Sequence, residues 1–152
     1  MSRIIMFMLL LVASFANAGV PLQATLEEMA KSADHILAGR VIAVDMVDAE
    51  GAQISDRAAR TGPGLTNTIR LLISVDKVFV TNARPVPKLL AVPLAPFLHY
   101  TLGQIQDAHR GDNTRRLLLL KGPDFSGIKA GVFFRPISDQ AEAIRIHKES
   151  HP

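Results

Sequence analysis

Runs of apolar and β-branched residues, separated by segments rich in glycine and proline, make up most of this chain. The run Ile36–Val47 (ILAGRVIAVDMV) lacks proline, which is typical of a strand buried on much of both faces. Thr68–Val80 alternates between two faces, and Arg115–Gly122 carries four consecutive leucines, so both are predicted strands. Three shorter strands are predicted at Lys88–Leu94, Val132–Ile137 and Glu142–Lys148. Because strands and helices do not alternate regularly, the order excludes a doubly wound sheet and predicts a mainly β, closed or nearly closed small barrel.

Irregularities are predicted within and between these strands. Gly39 indicates a bulge or a close approach by another element, and a phase slip after Lys77 indicates a second bulge. The glycine-containing stretch 48–67 is predicted to be a long mobile loop or a wide hairpin arm. The stretch 96–113 fits either a short helix or an ordered loop.

One helix is predicted before the first strand, from Leu26 to about Ala33. Thr25 and Glu28 have the spacing of a capping box, in which each side chain bonds the backbone amide of the other residue. Two acidic residues in the first turn also suit the helix dipole. We therefore interpret Glu27 and Glu28 as structural residues rather than as a catalytic carboxylate pair.

The first 18 residues have the order of features that a secretory signal needs. Arg3 supplies positive charge, Ile4–Phe15 is almost wholly apolar, and Ala16-Asn17-Ala18 matches a signal-peptidase site. The apolar run is about 12 residues, whereas a spanning helix needs roughly 20. We therefore predict cleavage after Ala18, a mature protein that starts at Gly19 without a stable membrane span, and a periplasmic or secreted location.

Composition narrows the class of protein further. The 152-residue chain has no cysteine, which excludes disulfides, thiolate metal sites and cysteine nucleophiles. The length predicts one domain, 19–152. The net charge is +3, and loss of Arg3 with the signal lowers it by one, which is too little to favour nucleic-acid binding.

Three segments carry a resemblance to a known group of proteins. KSADHILAGRVIAV, TIRLLISVDKVF and RRLLLLKG resemble, in pattern and order, segments of small exported bacterial proteins with an OB-like barrel. The resemblance spans Leu26–Ile146 and implies a closed or partly closed OB-like barrel with one capped N-terminal helix. That barrel is similar to the inhibitory domain of tissue inhibitors of metalloproteinases, which bind zinc through an N-terminal cysteine. Since this chain has no cysteine, the resemblance implies a fold and no inhibitory activity.

Catalytic and metal-binding patterns are weak in this sequence. No G-x-S-x-G nucleophile elbow occurs. His99, Asp107 and His109 form the one group that suggests metal ligation, and a site also needs a shell of residues that orients its ligands. We predict no cofactor and no metal. The alternative is a small periplasmic hydrolase, possibly metal-dependent, that uses these three residues.

A group of arginines is the remaining feature. Arg110, Arg115 and Arg116 lie close together in sequence, and guanidinium groups suit carboxylates and phosphates. The chain has one tyrosine and no tryptophan, so it offers few aromatic rings on which nucleic-acid bases could stack. The sequence therefore favours an exported, non-catalytic module that binds a protein or an anionic envelope component through these arginines.

Overall fold

The computed structural model describes residues 22–152, and the predicted signal peptide lies outside the described residues. Six strands and three α-helices are present in this range, together with a 3₁₀ turn at Ile137–Asp139. The elements are α1 (Leu26–Ser32), β1 (His35–Val47), β2 (Thr68–Thr81), β3 (Leu89–Pro93), α2 (Leu102–Ala108), β4 (Arg116–Lys121), β5 (Ser126–Gly127), β6 (Phe134–Pro136) and α3 (Gln140–Ser150). The prediction of a mainly β fold is confirmed.

The strands form one antiparallel sheet in the order β3-β2-β1-β4-β5, and β6 also pairs with β4. No pairing joins β3 to β5 within residues 22–152, so the sheet is open, and of the closed or partly closed barrel that we predicted the closed form is not observed. The two edge strands nevertheless approach each other, with Cα atoms within 8 Å.

The core lies on both faces of β4. Leu118 and Leu120 pack in one apolar cluster with β1, β2 and β3, whereas Leu117 and Leu119 pack in a second cluster with α1 and α3. All four leucines are fully buried, which confirms the prediction of a central strand. Because the two clusters cover both faces of the sheet at β4, side chains on either face are buried. The strand is therefore apolar throughout between its charged ends.

The predicted capping box at the start of α1 is confirmed. Thr25 Oγ1 accepts from the Glu28 amide at 3.1 Å, and the Glu28 carboxylate accepts from the Thr25 amide at 2.8 Å. These bonds hold the pKa of Glu28 below its usual range, with the backbone bond to Thr25 as the largest cause. A second capping box, between Thr101 and Gln104, starts α2 and resolves the ambiguous stretch 96–113 as a helix with flanking loops.

The strand predicted at Glu142–Lys148 is wrong, because this segment lies in helix α3. Ala143 and Ile146 are buried and stand three residues apart, which is helical spacing. They pack against α1, with Met29 and Ala30 in the same apolar cluster. The alternation of Ile144 and Ile146 suggested a strand, whereas burial against α1 stabilises the helix. Within residues 22–152 no helix is long and apolar enough to cross a membrane.

The stretch 48–67, between β1 and β2, is anchored rather than free. The Ile54 amide donates to the Met46 carbonyl at 2.8 Å, and the Leu102 amide donates to the Ala59 carbonyl at 3.0 Å. Thr61 is buried, and its hydroxyl donates to the Leu98 carbonyl at 2.7 Å. These bonds hold the stretch against β1 and α2.

Candidate functional site: a pocket lined by three arginines

A cavity of about 400 Å³ lies where β4 begins and β6 ends. Its lining combines three arginines with apolar side chains, and most of the lining surface is apolar. We call this cavity the arginine pocket; it is lined by Thr114, Arg115, Arg116, Phe134, Arg135, Pro136, Ile137 and Ser138. Its volume lies within the range of small-molecule sites, about 300–1,000 Å³.

The pairing of β4 with β6 builds the pocket. Arg116 stands opposite Pro136, and Leu118 stands opposite Phe134. This register places the Arg116 guanidinium over the Phe134 ring, 5.4 Å from its centroid. A cation held over an aromatic face is attracted by the ring, so Phe134 orients Arg116 as well as lining the cavity.

Aspartates neutralise the pocket arginines in part. Arg116 Nη2 donates to Asp112 at 2.6 Å, and Arg135 lies 2.8 Å from Asp139. Asp76 is shared, since its carboxylate lies 2.9 Å from Arg40 Nη1 and 3.3 Å from Arg115 Nε. Four arginines therefore share three aspartates, which leaves one positive charge in excess beside the pocket.

A bulge in β2 places Asp76 in this arrangement. In the register with β1, Ala38 pairs with Lys77 and Gly39 pairs with Val75, so Asp76 has no partner in β1. An unpaired residue in a bulge changes the direction of the local backbone, and such bulges re-aim side chains next to functional sites. Its carboxylate then lies within ion-pair distance of arginines from β1 and from the residue before β4.

Two guanidinium nitrogens make no hydrogen bond within the described residues, although one of them, Arg115 Nε, is in the ion pair with Asp76. Nε of Arg115 and Nε of Arg116 are buried, and neither makes a hydrogen bond to any other atom of residues 22–152. An unsatisfied buried donor costs about 1–3 kcal/mol. Such a cost is removed when a bound ligand or an ordered water supplies the acceptor.

Arg110 lies apart from Arg115 and Arg116. Its guanidinium donates to Asp107 at 2.6 Å, and Arg57 donates to both oxygens of the same carboxylate at 2.8 Å. The bond from Arg57 is the largest cause that holds the pKa of Asp107 below its usual range. Arg110 and Arg57 line a second cavity, of about 390 Å³, beside residues 41–44 of β1. The structure thus divides the predicted arginine group between two cavities.

The three residues of the alternative metal site, His99, Asp107 and His109, are not gathered into one group. His99 precedes α2 and lies against Gly62, where an added Cβ would approach the ring nitrogen Nδ1 to 2.8 Å. His109 lies at the other end of α2, after about 10 Å of helix. Asp107 binds the two arginines described above. Within residues 22–152 no group of three or more His, Asp or Glu side chains could hold a metal ion.

His109 interacts electrostatically with Asp112, the aspartate that accepts a hydrogen bond from the pocket residue Arg116. Its Nδ1 is buried without a hydrogen bond in the described chain and lies 3.8 Å from Asp112 Oδ2. Burial is the largest cause that lowers the pKa of His109, and Asp112 opposes this effect. Asp112 also accepts from Thr114 and Arg116, and these bonds hold its pKa far below its usual range.

Sequence reasoning missed Arg135 and Phe134 as pocket residues. Val132–Ile137 was predicted to be a strand, and the strand β6 does lie within it. The register of β6 on β4 is a non-local property, so the sequence did not indicate that Arg135 would join Arg115 and Arg116. The adjacent charges and rings in FFRP were the available signal.

No family model matches this chain, and no curated protein or solved structure matches it significantly.

Proposed function

We propose that this protein is an exported, non-catalytic module whose arginine pocket binds an anionic envelope component. The ligand class is an amphiphile with a phosphate or carboxylate head and an apolar body. The observation that carries the proposal is the lining of one cavity by Arg115, Arg116 and Arg135 together with Phe134, Pro136 and Ile137.

The chemistry of the lining supports this ligand class. A guanidinium presents a planar fork of donors that matches carboxylate and phosphate oxygens. Hydrogen bonds to a charged partner contribute about 1.5–3 kcal/mol, roughly twice as much as neutral ones. The apolar lining favours a ligand that carries more than a bare anion. Because the arginines beside the pocket outnumber the aspartates by one, they attract an anion even while the aspartates remain paired.

We also propose a more specific fold for the sheet and a location outside the cytoplasm. The sheet is a partly closed, OB-like barrel, an assignment supported by the approach of β3 to β5. Export is supported by the pattern of Met1–Ala18. N-terminal sequencing of the exported protein should begin at Gly19, and recovery of intact Met1 from a membrane fraction would refute the cleavage site.

Titration calorimetry with three probes tests the binding proposal. Octyl phosphate carries head and body, inorganic phosphate carries the head alone, and octanol carries the body alone. We expect one octyl phosphate per chain, and binding of each partial probe weaker by about tenfold or more. Higher salt should weaken octyl phosphate binding, because partly exposed charges are screened within about 8 Å at physiological ionic strength.

The variant Arg115→Gln removes one pocket charge with little structural cost, because Asp76 keeps Arg40 at 2.9 Å. We expect about tenfold weaker binding of octyl phosphate. Arg145→Gln is the matched control, since Arg145 lies on α3 between Glu142 and Glu149 and lines a different cavity. Equal affinities of the wild type and Arg115→Gln would contradict the proposal.

A further inference from the structure

Strand β1 is paired along one edge and partly unpaired along the other. It pairs with β2 from end to end, whereas β4 reaches only His35–Gly39 on the opposite edge. Past β4, the next pairing of that edge within residues 22–152 is the bridge from Val47 to Gln53. The edge between them lacks a strand partner, and its residues 41–44 line the cavity of about 390 Å³ described above. Such an edge presents backbone donors and acceptors on which another extended chain can pair.

The backbone of Val44 faces this cavity. The Met46 carbonyl accepts from the Ile54 amide, so the Met46 backbone points away from β2. Backbone groups alternate in direction along a strand, so those of Val44 point the same way as those of Met46. The Val44 carbonyl accepts from Gln106 Nε2 at 3.4 Å, which is near the outer limit for a hydrogen bond. A peptide amide at about 2.9 Å would make a shorter bond than this one.

An exposed apolar side chain stands beside the cavity. Ile42 lies at a bulge and has no partner in β2, because its neighbours Val41 and Ala43 pair with consecutive residues of that strand. It lines the cavity, and its exposed fraction of 60% is the largest among the large apolar side chains of residues 22–152. Apolar area that a partner removes from water stabilises the complex. A strand bound along this edge would cover Ile42.

The cavity also carries excess positive charge. Arg57 and Arg110 both bind the Asp107 carboxylate, at 2.8 Å and 2.6 Å, so two cations share one anion. None of the residues that line the cavity is acidic. The His109 imidazole also lines it, and burial lowers the pKa of His109, which keeps the ring neutral at pH 7. The cavity therefore favours an anionic group, and a carboxylate matches the guanidinium donors.

We propose that this cavity is a docking groove for an extended acidic peptide segment, which adds a short strand to the free edge of β1. The peptide backbone pairs with Val44, an apolar side chain of the peptide covers Ile42, and its carboxylate binds the two arginines. In this mode of recognition, main-chain bonds supply affinity and side-chain contacts supply specificity. An extended acidic chain uses all three features of the groove, whereas a small anion uses only the arginines.

The groove is separate from the arginine pocket. No residue lines both cavities, and their arginines bind different aspartates. Binding at one cavity can therefore fail while binding at the other holds.

Titration calorimetry with synthetic peptides tests the groove. The probe is the blocked pentapeptide Ac-TVEVT-NH₂, which combines strand-forming residues with one carboxylate. Ac-TVQVT-NH₂ removes the charge, and we expect about fivefold weaker binding, the effect of losing an exposed ion pair. Methylation of the three central backbone nitrogens prevents strand pairing, and we expect no measurable binding. Equal affinities of the three peptides, or no binding of the first, would overturn the proposal.

The variant Arg110→Gln tests the charge of the groove, because this side chain is 71% exposed and its loss leaves Arg57 bound to Asp107. We expect about fivefold weaker binding of Ac-TVEVT-NH₂ and an unchanged affinity for Ac-TVQVT-NH₂. Arg145→Gln is the matched control, since Arg145 is an exposed arginine that also binds acidic side chains and lines a different cavity. Wild-type affinity of Arg110→Gln for Ac-TVEVT-NH₂ would count against the docking groove.

Amide hydrogen exchange followed by NMR gives a second measurement, on the wild type alone. Saturating Ac-TVEVT-NH₂ should slow exchange of the Val44 amide and leave the amides of Arg116 and Phe134, in the arginine pocket, unchanged. Unchanged exchange at Val44, or shifts confined to the arginine pocket, would show that the peptide does not pair with β1.

Discussion

At Gly39 the strands β1 and β2 approach each other so closely that a residue with a side chain does not fit. A Cβ built on this glycine would lie 2.5 Å from the Ser74 carbonyl oxygen and 3.0 Å from the Ile73 side chain. The first of these contacts is to backbone, which cannot rotate away as a side chain can. The pairing register shifts beside Gly39, at the bulge that leaves Asp76 unpaired. One missing side chain therefore contributes to the geometry that brings Asp76 to Arg40 and Arg115.

We expect Gly39→Ala to lower the free energy of unfolding by about 1–3 kcal/mol, because an added methyl group forces β2 away from β1. Urea unfolding followed by circular dichroism measures this change. Ala43→Ser, an exposed substitution on the same strand, is the control and should stay within about 0.5 kcal/mol of the wild type. An unfolding midpoint for Gly39→Ala equal to that of the control would disprove the close approach.

The Asp112 carboxylate makes two hydrogen bonds in the connection from α2 to β4. Asp112 accepts from the Thr114 amide at 2.9 Å and from Arg116 Nη2 at 2.6 Å. These bonds fix the chain just before the pocket arginines, and they hold the pKa of Asp112 far below its ordinary value of 3.8. A carboxyl group that is more acidic in the folded state stabilises the fold whenever it is ionised.

The sign of the resulting pH dependence follows from this lowered pKa. As pH falls below about 4, the unfolded chain takes up the proton first, so the stabilisation by Asp112 is complete above that pH and decreases below it. Asp112→Asn should therefore unfold at a lower temperature than the wild type at pH 7, and the difference should shrink as pH falls from 4 towards 2. Thermal unfolding across this range measures it. A difference that is constant with pH would show that the charge of Asp112 contributes nothing.

Among the elements, those with local signals could be predicted and those that depend on distant partners could not. The α1 capping box and the four leucines of β4 are complete within a few residues of sequence. Helix α3 differs, because its short apolar pattern fits a strand and a helix equally, and its packing on α1 decides between them. The second capping box, Thr101 with Gln104, was a local signal that could have predicted α2.

Over the whole molecule, the candidate site combines residues that are far apart in sequence. Arg115 and Arg116 could be predicted because they flank a recognisable strand. Their separation from Arg110 follows from the fold of α2, and the contribution of Arg135 follows from the pairing of β4 with β6. Neither relation is present in local sequence. The same non-local pairing places Phe134 under Arg116 and gives the pocket its apolar lining.

The arginine pocket is the proposed binding site for an anionic amphiphile. Octyl phosphate titrated into ¹⁵N-labelled protein, followed by amide chemical shifts, tests this location directly. The proposal predicts that the largest shifts occur at amides of the pocket, namely those of Thr114, Arg115, Arg116, Phe134, Arg135 and Ser138. Shifts confined to the cavity that Arg145 lines between α1 and α3, or to residues 41–44 and 106–111, would contradict it, as would an unchanged spectrum at excess ligand.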